Sequence, residues 1–300
     1  MINVIIDTDI GADSDDAVAL SLAIKLHKKG IINLMGICAC ARKFSSATVN
    51  AILKSNGVEC PTAKSNSDLL ECDKKDFYAE FVAKKYKQKD SEQNGVDFFR
   101  KLLSQSNQKV VIVGIGPQNT LADLLKSSAD KHSKLNGVQL VSEKVEKVFL
   151  MGGNFNYNNP SANNKDYFAE WNICQDIQSA QYFNQHCPVP IVYAPFEVGV
   201  NVITGENFTL DCPERDCLEQ FHINCGGQKQ DRYGRSSWDA VTLMQASGLN
   251  VCKQSEWGSV EINDQGYTRF VANGGNQAYL IKIDDLACKN SVNKFLVFSK

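Results

Sequence analysis

No stretch of this 300-residue chain approaches the roughly 18 consecutive apolar residues that a membrane-crossing helix needs. Basic excess is also missing. The 32 Lys and Arg are balanced by 34 Asp and Glu, and no basic stripe suits nucleic acid. The run Lys84-Lys85-Tyr86-Lys87-Gln88-Lys89 reads as the solvated face of a helix. The opening residues lack the basic, apolar and small-residue sections of a signal peptide, so a cytoplasmic setting is expected. Histidine is scarce, and His27, His132, His186 and His222 fall in no motif. There is no internal repeat, low-complexity tract or linker, so residues 1–300 are expected to form one domain. Cysteine runs the other way, with 11 residues and an odd count. Without an export signal, free thiols in a reducing compartment are expected. Cys212, Cys217, His222 and Cys225 match no standard zinc spacing and read as ordinary side chains.

A hydrophobic content of 43% allows a sizeable core. Apolar runs and helical periods alternate along the first two thirds of the chain. Val4–Ile6 reads as a buried strand, Asp15–Lys29 as a mostly buried helix closed by Gly30, and Ile31–Ala39 as a second strand. Ser45–Ser55 is helical, Lys109–Gly114 a strand, and a helix is expected from Thr120 to His132. Lys147–Met151 and Val189–Tyr193 read as strands, with a helix over Asp176–Gln185 between them. Past Asn201 the pattern is less regular, with one clear helix over Trp238–Ala246. The alternation implies an α/β fold with a mainly parallel central sheet, flanking helices and a Rossmann-like core. Such sheets bind ligands beyond the carboxyl ends of their strands. The polar, Gly-rich and acidic stretches Asp7–Asp16, Gly114–Thr120 and Gly152–Asn164 follow these strands.

The first of these stretches is Asp7-Thr8-Asp9-Ile10-Gly11-Ala12-Asp13-Ser14-Asp15-Asp16, five carboxylates in ten residues at a strand exit. Such a cluster persists in a fold only if a positive group sits among the acids or some are protonated. A hard divalent cation is the simplest occupant, because it prefers oxygen ligands. Capping of the following helix explains one or two of the acids, but not five.

The order Asp-Thr-Asp-Ile-Gly-x-Asp-x-Asp-Asp-Ala-x-Ala-Leu resembles the N-terminal signature of the inosine–uridine-preferring nucleoside hydrolase family. Gly116-Pro117-Gln118-Asn119-Thr120-Leu121-Ala122, Leu150-Met151-Gly152-Gly153, Glu170-Trp171-Asn172 with Asp176, and Pro195-Phe196-Glu197-Val198-Gly199 are similar to later segments of that family, in its order. Ser236-Ser237-Trp238-Asp239 resembles the subgroup with Trp-Asp in place of His-Asp. The resemblance runs from residue 2 to about residue 247. It implies calcium-dependent hydrolysis of the N-glycosidic bond of ribonucleosides, a role in nucleoside salvage, and a dimer or tetramer. By motif, Asp9, Asp16 and Asp239 would ligate Ca2+ with the Asn119 carbonyl, and Asp9 would be the general base toward a water activated by the ion. Asp15, Asn164, Glu170 and Asn172 would hold the ribose, and Trp238 would stack on the base.

The sequence departs from the family in places. Two extra residues separate Gly11 from Asp15-Asp16, which makes Asp13 a rival to Asp15. Arg42 or Lys43 stands where the family has an Asn beside the metal. A cation 4 Å from another charge costs about 4 kcal/mol at an effective dielectric near 20. That side chain therefore points away, weakens the metal or replaces its charge. The Trp238 position removes the histidine acid for the leaving base, which favours purine over pyrimidine nucleosides. Base preference is expected to depend on the loops near residues 68–98 and 226–235, which carry no readable code. A nucleoside hydrolase fold that binds ribosides without turnover is the alternative. A phosphatase of the Asp-x-Asp type, with Asp7 as nucleophile, is the more distant one.

Overall fold

In a computed structural model, residues 1–39, 43–65, 76–158 and 166–296 are described. Eight strands form the central sheet: β1 (Ile2–Thr8), β2 (Ile32–Ala39), β3 (Thr62–Lys64), β4 (Val110–Ile115), β5 (Val145–Met151), β6 (Ile191–Ala194), β9 (Lys253–Gln254) and β12 (Gln277–Ile281). Their spatial order is β3-β2-β1-β4-β5-β6-β12-β9. Every pairing is parallel except the last, where β9 runs antiparallel to β12. Two further ribbons pair β7 (Ile203–Thr204) with β8 (Arg235–Ser236) and β10 (Ser259–Ile262) with β11 (Thr268–Val271).

The strands are nearly continuous apolar runs because both faces of the sheet are covered. The pleat sends Val4 and Ile6 of β1 to one core and Ile5 to the other. The first core lies under α1 (Asp15–Lys28), α2 (Ser45–Ser55), α11 (Trp238–Ala246) and α12 (Asp285–Leu296). The second lies under α4 (Gly95–Gln105), α5 (Asn119–Lys126), α6 (Gly137–Lys144) and α8 (Ile177–His186). The shorter α3 (Ala79–Lys85), α7 (Trp171–Gln175), α9 (Phe196–Gly199) and α10 (Pro213–Asn224) complete the set. The chain is an α/β domain of the expected architecture, and among the described residues no helix is long and apolar enough to cross a membrane.

One expected helix is shorter than its pattern. Thr120–His132 becomes α5, which stops at Lys126. The buried Arg100 is the cause. Its guanidinium donates to Ser127 Oγ at 2.9 Å, Asp130 Oδ1 at 3.0 Å and Leu135 O at 2.9 Å, and so organises residues 127–135 as a loop. The irregular last third also holds more than one helix, since α10 and α12 join α11 there.

Candidate active site

The strand order reverses direction between β1 and β4, so the connections after these two strands diverge and open a crevice at their carboxyl ends. Asp9 follows β1 directly, and Asp15 and Asp16 open α1. Gly116 follows β4 and must be glycine, because a Cβ there would lie 2.9 Å from both the Cβ and the backbone nitrogen of Asp9. This close approach brings the loop leading to Asn119, the first residue of α5, against the acidic turn. Asp239 arrives from far along the chain, in the first turn of α11, and its backbone N–H donates to Asp15 Oδ2 at 3.2 Å. Thr8 Oγ1 donates to Asp16. Tyr78 clamps the turn from outside, accepting from Gly11 N at 2.7 Å and donating to the Asp13 carbonyl.

Carboxylate oxygens of Asp15, Asp16 and Asp239 all lie within 4.8 Å of one another, and all three residues are buried. Burial, followed by the neighbouring acids, pushes each of their carboxyls well above the ordinary range. Asp9 lies just beside this triad, 5% exposed, and adds to the repulsion. Both side-chain polar atoms of Asn119 are buried with no hydrogen-bond partner among the described residues. The all-oxygen donor set of Asp15, Asp16 and Asp239, crowded and buried, fits a hard divalent cation. A second group, Asp97, Asp130 and His132, differs. Lys131 lies 3.0 Å from Asp97 and Arg100 bonds Asp130, so these acids already have cations.

The acids form the floor of a cavity of about 330 Å3, near the lower end for small-ligand sites. Its walls are Ile115, Met151 and the aromatic rings of Phe77, Phe168, Trp171, Phe196, Phe221 and Trp238. Glu170 and Asn172 face it from the turn before and the start of α7. Glu170 accepts from the backbone N–H groups of Gly153 (3.1 Å), Asn172 (2.9 Å) and Ile173 (3.3 Å), yet burial pushes its carboxyl up to about 7. Asn172 Nδ2 donates to the Met151 carbonyl at 3.3 Å. Trp238 Nε1 donates to the Phe196 carbonyl at 2.6 Å, and the two rings pack at 5.4 Å.

Asp9, Asp15, Asp16, Glu170, Asn172, Trp238 and Asp239 thus line one cavity, whereas the buried Asn119 is not among its lining residues. Asn164 and Arg42 lie outside the described residues. Lys43 is exposed and its ammonium sits 5.1 Å from the Phe44 ring, so it does not enter the acidic cluster. Asp7 is buried within β1 and does not line the cavity, which removes the nucleophile an Asp-x-Asp phosphatase requires. Cys212, Cys217, Cys225 and His222 form no metal-binding group among the described residues, and the three cysteines are free thiols.

The positive group among the acids is Arg235, which the sequence reading missed. Its Nε and Nη2 reach the two oxygens of Asp13 at 2.7 and 2.5 Å. Asp13 and Asp15, rivals in the sequence, therefore have different partners: Asp13 is paired to Arg235, while Asp15 belongs to the acidic triad. The aromatic walls were equally hidden, because Phe77, Phe168 and Phe221 come from separate loops and helices with no shared pattern.

Solved structures of similar shape include a plant nucleoside hydrolase (TM-score 0.72, 18% identity, 99% of each chain covered). Another is an inosine-uridine preferring nucleoside hydrolase from Bacillus anthracis (TM-score 0.70, 16% identity, 98% of this chain and 99% of that one). A purine-preferring ribonucleoside hydrolase from Gardnerella vaginalis matches with TM-score 0.70 and 16% identity, over 98% of each chain. No curated protein matches the sequence. The family model for inosine-uridine preferring nucleoside hydrolase matches residues 4–278, nearly the whole chain, and this chain belongs to that family of enzymes.

Proposed function

We propose that this protein hydrolyses the N-glycosidic bond of ribonucleosides, purine ribonucleosides in particular, with Ca2+ as its cofactor. The observation that carries the reading is the meeting of Asp9, Asp15, Asp16 and Asp239 at the floor of an aromatic-walled cavity that also presents Glu170 and Asn172. Asp16, Asp239 and Asp9 would hold the ion with the Asn119 carbonyl, and Asp15 is near enough to join them. A bound divalent cation supplies positive charge that acidifies water in the site.

Asp9, beside that group at the cavity floor, takes a proton from the attacking water. The water adds to the anomeric carbon as the bond to the base breaks and its electron pair leaves with the base nitrogen. Glu170 and Asn172, with Asp15 and Asn164, bind the ribose hydroxyls. A deoxy sugar leaves such polar groups unpaired, at about 1–3 kcal/mol each. The developing positive charge on the sugar is stabilised by the surrounding carboxylates. Flat aromatic walls suit a purine ring, and Trp238 contributes one of them. The setting this reading implies is nucleoside salvage in the cytoplasm by a homodimer or homotetramer.

The test is release of free ribose from a panel of nucleosides with millimolar CaCl2, repeated in EDTA. Inosine, guanosine or adenosine is expected to be cleaved faster than uridine, and EDTA to abolish turnover. Asp9→Asn is expected to lower kcat by about 10²–10⁴, the range for loss of a general base. Uridine cleaved far faster than inosine would reject the purine preference. Ribosides bound tightly but never cleaved would favour the alternative of a binding protein without turnover. That alternative rests on Arg42 or Lys43 beside the metal; Lys43 is exposed and turned toward the Phe44 ring, and Arg42 lies outside the described residues.

A further inference from the structure

The reaction above lacks a group that helps the base to leave. No histidine lines the cavity: His27 accepts from Leu34 N, His132 meets Asp97, His186 stacks on Tyr182, and His222 bonds Gln228 O. Arg235 is the single Lys, Arg or His side chain among the described residues of the lining. Its guanidinium carbon lies 5.1 Å from the Trp238 ring centre and 5.3 Å from that of Phe221. Asp13 grips Nε and Nη2, and Nη1 makes no hydrogen bond among the described residues. An arginine therefore stands among the aromatic walls, fixed along one edge, with two N–H donors to spare.

On the reading of this site as a nucleoside hydrolase, we propose that Arg235 is the leaving-group residue, whose free Nη1 donates to an acceptor atom of the departing nucleobase. As the bond from the anomeric carbon to nitrogen breaks, its electron pair passes to the base, which becomes anionic. The fixed guanidinium stabilises that charge by hydrogen bonding, without giving up a proton, since arginine stays protonated in proteins. Water supplies hydroxide to the anomeric carbon and its proton to Asp9. The anionic base then takes a proton from solvent, so the balance is nucleoside plus water to ribose plus base. Asp13 is the positioning residue: its two contacts orient the guanidinium edge and prevent it from turning toward the acidic triad.

The experiment compares inosine with p-nitrophenyl β-D-riboside, whose phenolate departs without help. Arg235→Met is expected to lower kcat on inosine by ~100-fold or more, the typical loss for one donor to a developing anion. On the nitrophenyl riboside the loss is expected to stay below about tenfold, a split that a merely structural role does not produce. Equal losses on the two substrates would overturn the proposal. The double variant Asp13→Asn, Arg235→Met keeps the charge balance and serves where the single variant does not fold. It is expected to remain defective on inosine alone, and recovered inosine cleavage would mean that Arg235 only neutralises Asp13. Wild type that cleaves neither substrate, with calcium present, would instead defeat the hydrolase reading on which this one rests.

Discussion

Glu197 adjoins the cavity-wall residue Phe196 but turns its carboxyl inward. Oε1 accepts from Phe155 N at 3.0 Å, and Oε2 is buried without a hydrogen-bond partner among the described residues. Desolvation pushes the carboxyl up to about 7. A group whose folded pKa exceeds its unfolded value contributes stability that is full at low pH and lost as pH rises through the folded pKa. Between about 4.5 and 7 stability thus falls progressively, because Glu197 ionises in the unfolded chain while burial keeps it protonated in the folded one, and above about 7 the loss levels off. Glu197→Gln keeps the acceptor for Phe155 and removes the titration. At pH 8 this variant is expected to be more stable than wild type by up to about 3 kcal/mol, and near pH 4.5 the difference is expected to vanish. Urea unfolding at both pH values measures this, and a difference that does not change with pH refutes it. Glu170, pushed up to about 7 by its own burial, titrates in the same window in both proteins and cancels from the comparison.

The contact between α9 and α11 sets where Trp238 and Asp239 sit. Gly199, the last residue of α9, lies so close that a Cβ would stand 2.4 Å from Trp238 Cα, a backbone atom that cannot swing aside. Gly199→Ala is expected to lower stability by about 1–3 kcal/mol, as overpacking of a fixed interface does, and to weaken metal binding by shifting Asp239. Unchanged calorimetric calcium affinity would separate this contact from the site. α11 itself was legible: its span, Trp238–Ala246, is the one read from the sequence. So were α1 and the strands β1, β2, β4, β5 and β6, because uninterrupted Val, Ile and Leu runs can only be buried on both faces. β12 was not read as a strand of the central sheet, because Gln277–Ile281 is five residues long and opens on a polar side chain, too short an apolar run to stand out in the irregular last third. α10 and α12 escaped because each carries few fully buried residues. At the site, local density was readable and distant assembly was not. The acids of residues 7–16 announced themselves, whereas Arg235 completes their charge from the far end of the chain.

At the scale of the whole molecule, the acidic triad ties the first turn of α1 to the first turn of α11, more than two hundred residues later. Both helices rest on the same face of the sheet, so like charges held at their amino ends push apart two elements that a common core holds together. The fold tolerates this in part because each helix start offers free N–H groups, as Asp239 N does to Asp15. A cation between the carboxylates converts that repulsion into a crosslink between α1 and α11. Binding to the folded state alone adds about 2.7 kcal/mol at a hundred times Kd. For a chain of 300 residues that corresponds to a rise in Tm of roughly 4 °C. Calcium is therefore expected to raise the Tm of wild type, and EDTA to reverse the rise. Asp239→Asn should invert the order. Without metal it is expected to melt above wild type at pH 8, because one buried charge is gone, and with calcium it is expected to melt below it. Scanning calorimetry of both proteins with and without calcium gives four midpoints. A wild-type midpoint that ignores calcium, or a variant that responds as wild type does, would show that these aspartates are balanced by the protein itself and not by an ion.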